Sequence, residues 1–314
     1  TTAYVSLKLG RNVIGNELNP SAFYLSNIYR LIYLSKKRRI DLLQKTKQII
    51  FEKSFKFQKL FLNNNKFKNE IMILIKYLVV VSYDESDSKF NQNLKINFNK
   101  IEKIIYNFPI TKNNFKLLLG DARKTKIKDE TIDYVITSPP YINVFNYHQN
   151  HRKIIEKLNY NVLEIAKSEL GSNRKFRGNR FNTVFQYSID IFQVFNEIKR
   201  ICKKDALVIF VVGKVSSIRG VQIRNSKITK EVASLAGFKF EKMQSRNFIN
   251  KFGKKIYEDV LFFKPTLSKV KSKINDILEV PSKELQNLKK KLSKDIRNDI
   301  ILDIDNAINN KENI

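Results

Sequence analysis

The sequence predicts an α/β fold built on a mostly parallel sheet, and three observations predict it. Short apolar runs recur along the chain, and the first three are closed by an acid or a rigid polar turn: Val13-Ile14-Gly15-Asn16-Glu17, Leu117-Leu118-Leu119-Gly120-Asp121, and Asp133-Tyr134-Val135-Ile136 leading into Thr137-Ser138-Pro139-Pro140-Tyr141. Stretches of helical period lie between the earlier runs, the alternation that builds parallel sheets. In such sheets ligands sit outside the carboxyl ends of the strands, so the three polar ends could face one edge.

The elements follow in order. Val13 to Glu17 reads as a short buried strand running into Leu18-Asn19-Pro20. Residues 36–110 then separate it from the Asp121 strand by far more than an α/β connection needs. Within them Ile40, Leu43, Ile50 and Phe55, and later Ile101, Ile104 and Ile105, recur at near-helical spacing, which predicts a helical insertion. Ile71 to Val81 is apolar apart from Lys76, too short to span a membrane, and reads as a buried helix or strand. After the Asp121 and Ser138 strands, Phe195 to Asp205 reads as a helix end and Ala206 to Gly213 as a strand. Phe238 to Met243 and Tyr257 to Phe263 read as two further strands around a polar loop containing Asn250 and Gly253. Beyond Pro265 the chain is charged, and Leu285, Leu288, Leu292, Ile296, Ile300 and Ile304 mark one stripe of a long amphipathic helix beginning near Pro281-Ser282.

The Ser138-Pro139-Pro140-Tyr141 turn carries the chemistry. Its prolines fix φ and have no N–H, so the surrounding carbonyls are not all taken up locally and can face a pocket. An exocyclic base amine is a poor nucleophile because its lone pair is delocalised into the ring. Hydrogen bonds to a Ser138 oxygen and the Pro139 carbonyl would favour the pyramidal, nucleophilic nitrogen in the transition state. The Tyr141 ring offers a face for a base that has left its helix. The plainer alternative is a Ser-Pro-Pro-Tyr turn that only ends a strand.

With Glu17 and Asp121 at two other strand ends, the sequence resembles the amino-methyltransferases, S-adenosylmethionine-dependent DNA methylases that modify cytosine N4 or adenine N6. The Ser-Pro-Pro-Tyr form is similar to the cytosine-N4 branch, the adenine branch usually having Asp or Asn first. The resemblance implies a Rossmann-like methyltransferase sheet, with Glu17 at the cofactor ribose, Asp121 near its adenine and Ser138, Pro139, Pro140 and Tyr141 as the catalytic loop. It covers most of residues 1–35 and 111–264, the expected methyltransferase core, with 36–110 as the insertion and 265–314 as a charged C-terminal helical segment. In this family a strand and a Gly-rich loop ending in Gly-Thr-Thr precede the Glu-bearing strand, whereas this chain opens at Thr1-Thr2-Ala3-Tyr4. The expectation is therefore a sheet lacking its first strand and Gly-rich loop, Thr1 and Thr2 reaching the cofactor, and an upstream segment or second chain supplying the loop. The reaction implied is site-specific methylation of cytosine N4 in double-stranded DNA, in a restriction-modification or defence system. Adenine-N6 methylation in DNA, methylation of an RNA base, and a non-catalytic DNA-binding subunit are the alternatives.

Composition bears on the partner. The 314 residues carry 59 Lys and Arg against 30 Asp and Glu, a formal charge of +29 that favours a polyanion. Lys, Asn, Ile and Phe are abundant and Trp is absent, the composition an AT-rich genome imposes whatever the chain binds. The arginines discriminate better: Arg174, Arg177 and Arg180 crowd into Gly171 to Phe181 with two aromatics, a loop able to follow phosphates or reach base edges. A similar segment occurs in some of the methylases. His148 and His151 are spaced as metal ligands can be, but no Cys or acid cluster completes a site, and packing or phosphate contact beside Arg152 is expected instead. Cys202 is the sole cysteine, so no disulfide forms within the chain; it reads as a buried helix-end residue in a reducing, cytoplasmic compartment, without the Pro-Cys context of a cytosine-C5 methylase nucleophile. No signal peptide or membrane span is visible.

Overall fold

The computed structural model describes residues 2–51, 69–143, 149, 151–171, 176, 178–250, 252–268, 270–292 and 298–314. They form two compact units, Thr1–Asp121 with Tyr147–Ile165, and Ala122–Asn146 with Ala166–Ile314.

The first unit opens with α1 (Thr2–Lys8), β1 (Val13–Glu17) and α2 (Pro20–Ser26), followed by a 3-10 segment over Asn27–Tyr33. The Asn-Pro pair starts α2: Pro20 needs no donor at the first helical position, and Asn19 Oδ1 accepts from Ser21 N at 2.8 Å. Then come α3 (Lys36–Phe51), α4 (Asn69–Ser82), α5 (Asp87–Tyr106) and β2 (Phe115–Leu119). β1 and β2 pair in parallel over five rungs, from Val13 opposite Phe115 to Glu17 opposite Leu119. Of residues 36–110, expected to be helical, the described parts carry helix in α3, α4 and α5, and Phe55 lies outside the described residues. Ile71 to Val81 is helix, and its near-continuous apolarity follows from burial on most sides of α4: Leu74, Ile75, Leu78 and Val79 have no exposed surface. Its one cation, Lys76, lies 5.3 Å from the Tyr24 ring centroid, and burial lowers its pKa.

Arg39, in what reads as a solvated Lys-Lys-Arg-Arg run, is fully buried. Its guanidinium donates to the carbonyls of Ile32 at 2.9 Å, Pro109 at 3.0 Å, Ile105 at 3.4 Å, and Phe108. All but Ile32 lie just inside or beyond the C-terminus of α5, where unsatisfied carbonyls and the helix dipole favour a cation. α6 (Arg152–Lys157) completes this unit's packing through Ile154 and Ile155.

The second unit is built on a four-stranded sheet in the order β3 (Ile132–Thr137), β4 (Cys202–Gly213), β8 (Lys255–Pro265), β7 (Phe238–Ile249). β3 and β4 are parallel, while β8 runs antiparallel to both of its neighbours, giving the terminal hairpin expected from the sequence. The hairpin strands reach beyond the apolar runs to a turn in which Asn250 Oδ1 accepts from Phe252 N at 2.9 Å and Lys254 N at 3.0 Å, with Gly253 at φ 76°. A short helix α7 (Val162–Ser168) precedes α8 (Asn182–Ile201), and α8 covers the sheet: Phe195 stacks on Phe210 of β4 at 4.5 Å and meets Phe263 of β8 edge-on at 5.5 Å. α9 (Asn225–Leu235), preceded by a small β5–β6 hairpin (Val215–Ile218 and Val221–Arg224), also packs into this core.

The C-terminal reading needs correcting. A helix α10 spans Ile274–Lys289 with Pro281 inside it, and a second, α11, spans Asn298–Asn309, so the stripe from Leu285 to Ile304 is divided between two helices. The true start is marked by Asp276, whose carboxylate accepts from Lys273 N at 2.7 Å, a local cap outside the apolar periodicity. Ile296 lies outside the described residues.

Candidate active site

In the first unit, the parallel pairing of β1 and β2 brings Glu17 and Asp121 to the carboxyl end of the same two strands. The edge is tied together locally: Gly120 N donates to the Glu17 carbonyl at 3.0 Å and Asn16 Nδ2 to the Gly120 carbonyl at 2.9 Å. Glu17 Oε1 accepts from Asn19 N at 3.2 Å, which turns the side chain back over the start of α2. Burial raises the Glu17 carboxyl above the usual range, against the lowering effect of the Asn19 and Leu18 backbone N–H groups. The edge thus presents two carboxyl groups, hydrogen-bond acceptors of the kind that take ribose hydroxyls. Thr2 is the first residue of α1.

In the second unit, β3 ends at Thr137 and the Ser138-Pro139-Pro140-Tyr141 turn follows at once, with Ser138 exposed and Pro139 buried. Three contacts fix Tyr141. Its hydroxyl donates to Glu258 Oε1 at 2.7 Å. A Cβ at Gly213, the last residue of β4, would lie 2.8 Å from Tyr141 Cδ2 and Cε2 and 3.4 Å from Cγ, distances that place it over the face of the ring rather than beyond its edge. A Cβ at Gly171, which sits at φ 67°, would lie 2.8 Å from the Tyr141 carbonyl oxygen. Gly213 is itself held, its carbonyl accepting from the buried Asn225 Nδ2 at 2.8 Å. Asn225 also receives the Ser216 hydroxyl at 3.1 Å, so the polar groups under the turn satisfy one another.

Glu258, Gly213, Gly171 and Asn225 were not singled out from sequence as parts of this site. Glu258 did leave a signal, since the acid pair Glu258-Asp259 interrupts an apolar strand and a buried acid needs a partner. A second buried acid, Asp190 of α8, accepts from Arg123 at 2.6 Å, and Arg123 also donates to the Ser168 carbonyl at 3.1 Å. Of the expected DNA-contacting arginines, Arg180 is exposed at the start of α8; Arg174 and Arg177, like Thr1 and His148, lie outside the described residues. His151 sits in the left-handed region at φ 56°, directly before α6. Cys202 is buried at the junction of α8 and β4, as expected, and burial with the nearby charge of Asp133 pushes its thiol up to about 12. Among the described residues no group of three His, Cys, Asp or Glu side chains is placed to hold a metal ion, and no helix is long and apolar enough to cross a membrane.

No family model matches the chain. Over 129 residues, 37% of the chain, it is 27% identical to the Type II methyltransferase M.MjaII of Methanocaldococcus jannaschii, and it spans 22% of that relative's length. Among solved structures, a SAM-dependent methyltransferase of Methanosarcina mazei overlaps 55% of this chain and 78% of its own at 9% identity, with a TM-score of 0.31. A Thermus thermophilus protein assigned as a DNA modification methylase, in complex with S-adenosyl-L-methionine, overlaps 56% of this chain and 61% of its own at 16% identity, with a TM-score of 0.29. Overlaps this slight add nothing to the topology described above.

Proposed function

We propose that this chain is the catalytic part of an S-adenosylmethionine-dependent DNA methyltransferase whose target is cytosine N4, serving a restriction-modification or related defence system. The observation that carries the reading is the Ser138-Pro139-Pro140-Tyr141 turn at the carboxyl end of a parallel strand, its aromatic ring fixed in one plane. When bound, S-adenosylmethionine supplies an electrophilic methyl group on a sulfonium. The Ser138 oxygen and the Pro139 carbonyl would accept from the base amine and so localise its lone pair on the nitrogen, making it nucleophilic without a covalent bond to the protein. Tyr141, with one face against Gly213, presents its other face to the flipped base. Glu17 accepts from the cofactor ribose and Asp121 lies near its adenine, the two carboxyls at the β1–β2 edge fitting that donor set, and Thr1 and Thr2 complete the cofactor site with an upstream segment or second chain. Arg174, Arg177 and Arg180 contact the duplex. The core in this reading is residues 1–35 and 111–264, with 36–110 inserted and 265–314 appended.

The test uses the full-length protein that contains this chain, duplex DNA and labelled S-adenosylmethionine, followed by nucleoside mass spectrometry. N4-methylcytosine, lost at least about a hundredfold in Ser138→Ala, supports the reading, that being the scale of one lost transition-state hydrogen bond. N6-methyladenine would move the enzyme to the other branch of the family. Failure to methylate any base overturns the proposal.

A further inference from the structure

We propose that Glu258 is a positioning residue for methyl transfer, holding the Tyr141 ring in its stacking plane, and that Arg246 holds Glu258 in turn; this rests on the function proposed above. Glu258 is 7% exposed on a strand whose other buried positions are Asp259, Leu261 and Phe263. A carboxylate there carries a desolvation cost that a leucine would avoid, so its presence calls for partners and a use. Both oxygens are engaged, and by different partners. Oε1 accepts the Tyr141 hydroxyl at 2.7 Å, while Oε2 accepts from Arg246 Nε at 2.8 Å and Nη2 at 2.6 Å. Register explains the alignment: Gly213, Glu258 and Arg246 face one another on adjacent strands β4, β8 and β7, so one rung of the sheet supplies the floor beneath the ring, the acceptor for its hydroxyl and the clamp on that acceptor.

The hydroxyl contact adds a constraint at the far end of the ring that the two glycines do not supply. Gly213 against the ring face limits how far the ring can sink and hinders its rotation about the Cβ–Cγ bond, and Gly171 limits the backbone, but neither fixes the swing about χ1 away from the strand. A charge-assisted hydrogen bond at the para position fixes the χ1 swing, because the hydroxyl is the ring substituent farthest from the backbone and moves most when the side chain swings. Arg246 is itself largely exposed, so its service here is to hold the Glu258 carboxylate in direction rather than to fill the core.

The experiment compares Tyr141→Phe, Glu258→Leu, Glu258→Gln and the Tyr141→Phe/Glu258→Leu double variant in the full-length protein. Tyr141→Phe and Glu258→Leu should each lower kcat about ten- to a hundredfold, the range of one charge-assisted hydrogen bond, with the DNA Kd within about twofold of wild type. The double variant should be no slower than the worse single variant, and Glu258→Gln, which keeps an acceptor oxygen, should recover part of the loss. A duplex with 2-aminopurine at the target base should show altered stacked-state fluorescence in both single variants. Wild-type kcat in Tyr141→Phe, or losses that multiply in the double variant, overturns the proposal. If Glu258→Leu does not fold, Tyr141→Phe and Glu258→Gln still decide the matter. A tyrosine 13Cζ resonance, assigned by its disappearance in Tyr141→Phe, should shift in Glu258→Gln. An unshifted resonance refutes the contact whatever the protein methylates, whereas a shifted one in a protein that transfers no methyl group locates the failure in the functional reading and removes the positioning role with it.

Discussion

Gly213→Ala is the sharpest single perturbation of the catalytic turn. The added Cβ would stand 2.8 Å from two carbons of the Tyr141 ring, where nonbonded carbons rest at about 3.5–4.0 Å. The ring must therefore retreat by roughly 0.7 Å or more to restore ordinary contact. It cannot slide as a body, because its hydroxyl is bonded to Glu258 and its carbonyl is closely approached by Gly171. Nor can the floor sink readily, since the Gly213 carbonyl is tied to Asn225 and the residue is paired with Glu258. The ring has to tilt, stretching the phenol bond. Overpacking of this kind costs about 1–3 kcal/mol of stability, and a displacement near 1 Å in a reacting group lowers the rate about a hundredfold. Thermal unfolding and methyl transfer at saturating DNA measure the two effects. The clash belongs to one ring, so Gly213→Ala should cost far less stability in a Tyr141→Ala background than in the wild type. Equal costs in the two backgrounds would refute the reasoning, because the strain would then lie in the strand and not against the tyrosine.

Three further outcomes are expected. The Glu17 carboxyl is raised by burial, so the folded state binds its proton more tightly than the unfolded chain does; that contribution is fully present below about pH 4.3 and is lost as pH rises through the folded value. Glu17→Gln should accordingly raise the unfolding midpoint at pH 7 and not at pH 3 while weakening S-adenosylmethionine binding by calorimetry, and a lower midpoint at pH 7 would contradict the sign. Arg39→Met should lower the urea midpoint, since a buried carbonyl left without a donor costs about 1–3 kcal/mol, and Arg39→Lys should not restore it, a single ammonium being unable to reproduce the fork; an unchanged midpoint in either variant sinks this account. Cys202, buried and with its thiol pushed up to about 12, should resist thiol reagents at pH 8 until the protein unfolds; rapid labelling of the native protein would show the α8–β4 junction to be open.

What the sequence disclosed and what it withheld follow a physical line. Strands ending in Glu17, Thr137 and Gly213 were legible because each is a local apolar run closed by residues that cannot continue it, and α3 and α5 because apolar residues recur there at near-helical spacing, although Ile40 and Ile104 of that set are exposed. α4 was ambiguous because burial on most sides erases periodicity, leaving length alone to separate helix from strand. The start of α10 was missed because Pro281 is a local stop signal that the surrounding packing overrode, the proline being buried with Ile277 and Leu278. Within the candidate site, Ser138 and Tyr141 stood out by motif, whereas Glu258 lies 117 residues from the tyrosine it holds and shows itself only once strand order and register are fixed. Arg39 escaped for the same reason, its hydrogen-bond acceptors lying up to 70 positions away and being backbone carbonyls, which no side-chain pattern announces.

The rung that joins Gly213, Glu258 and Arg246 is also the last at which three strands run side by side. β4 leaves the ladder there, with one further bond from Lys214 N to the Tyr257 carbonyl at 3.0 Å, while β7 and β8 continue as a pair to Ile249 and Lys255. A two-stranded ribbon is marginal in water, so amide exchange along the hairpin should be slow at residues 259–263 and fast at 247–249 and 255–257, with the step at this rung. Tyr141 is moored at that step, where the body of the sheet gives way to a two-stranded arm. A ligand that grips the arm and quiets its fraying stiffens the mooring of the ring without touching it, and one that pries the two strands apart casts the ring loose.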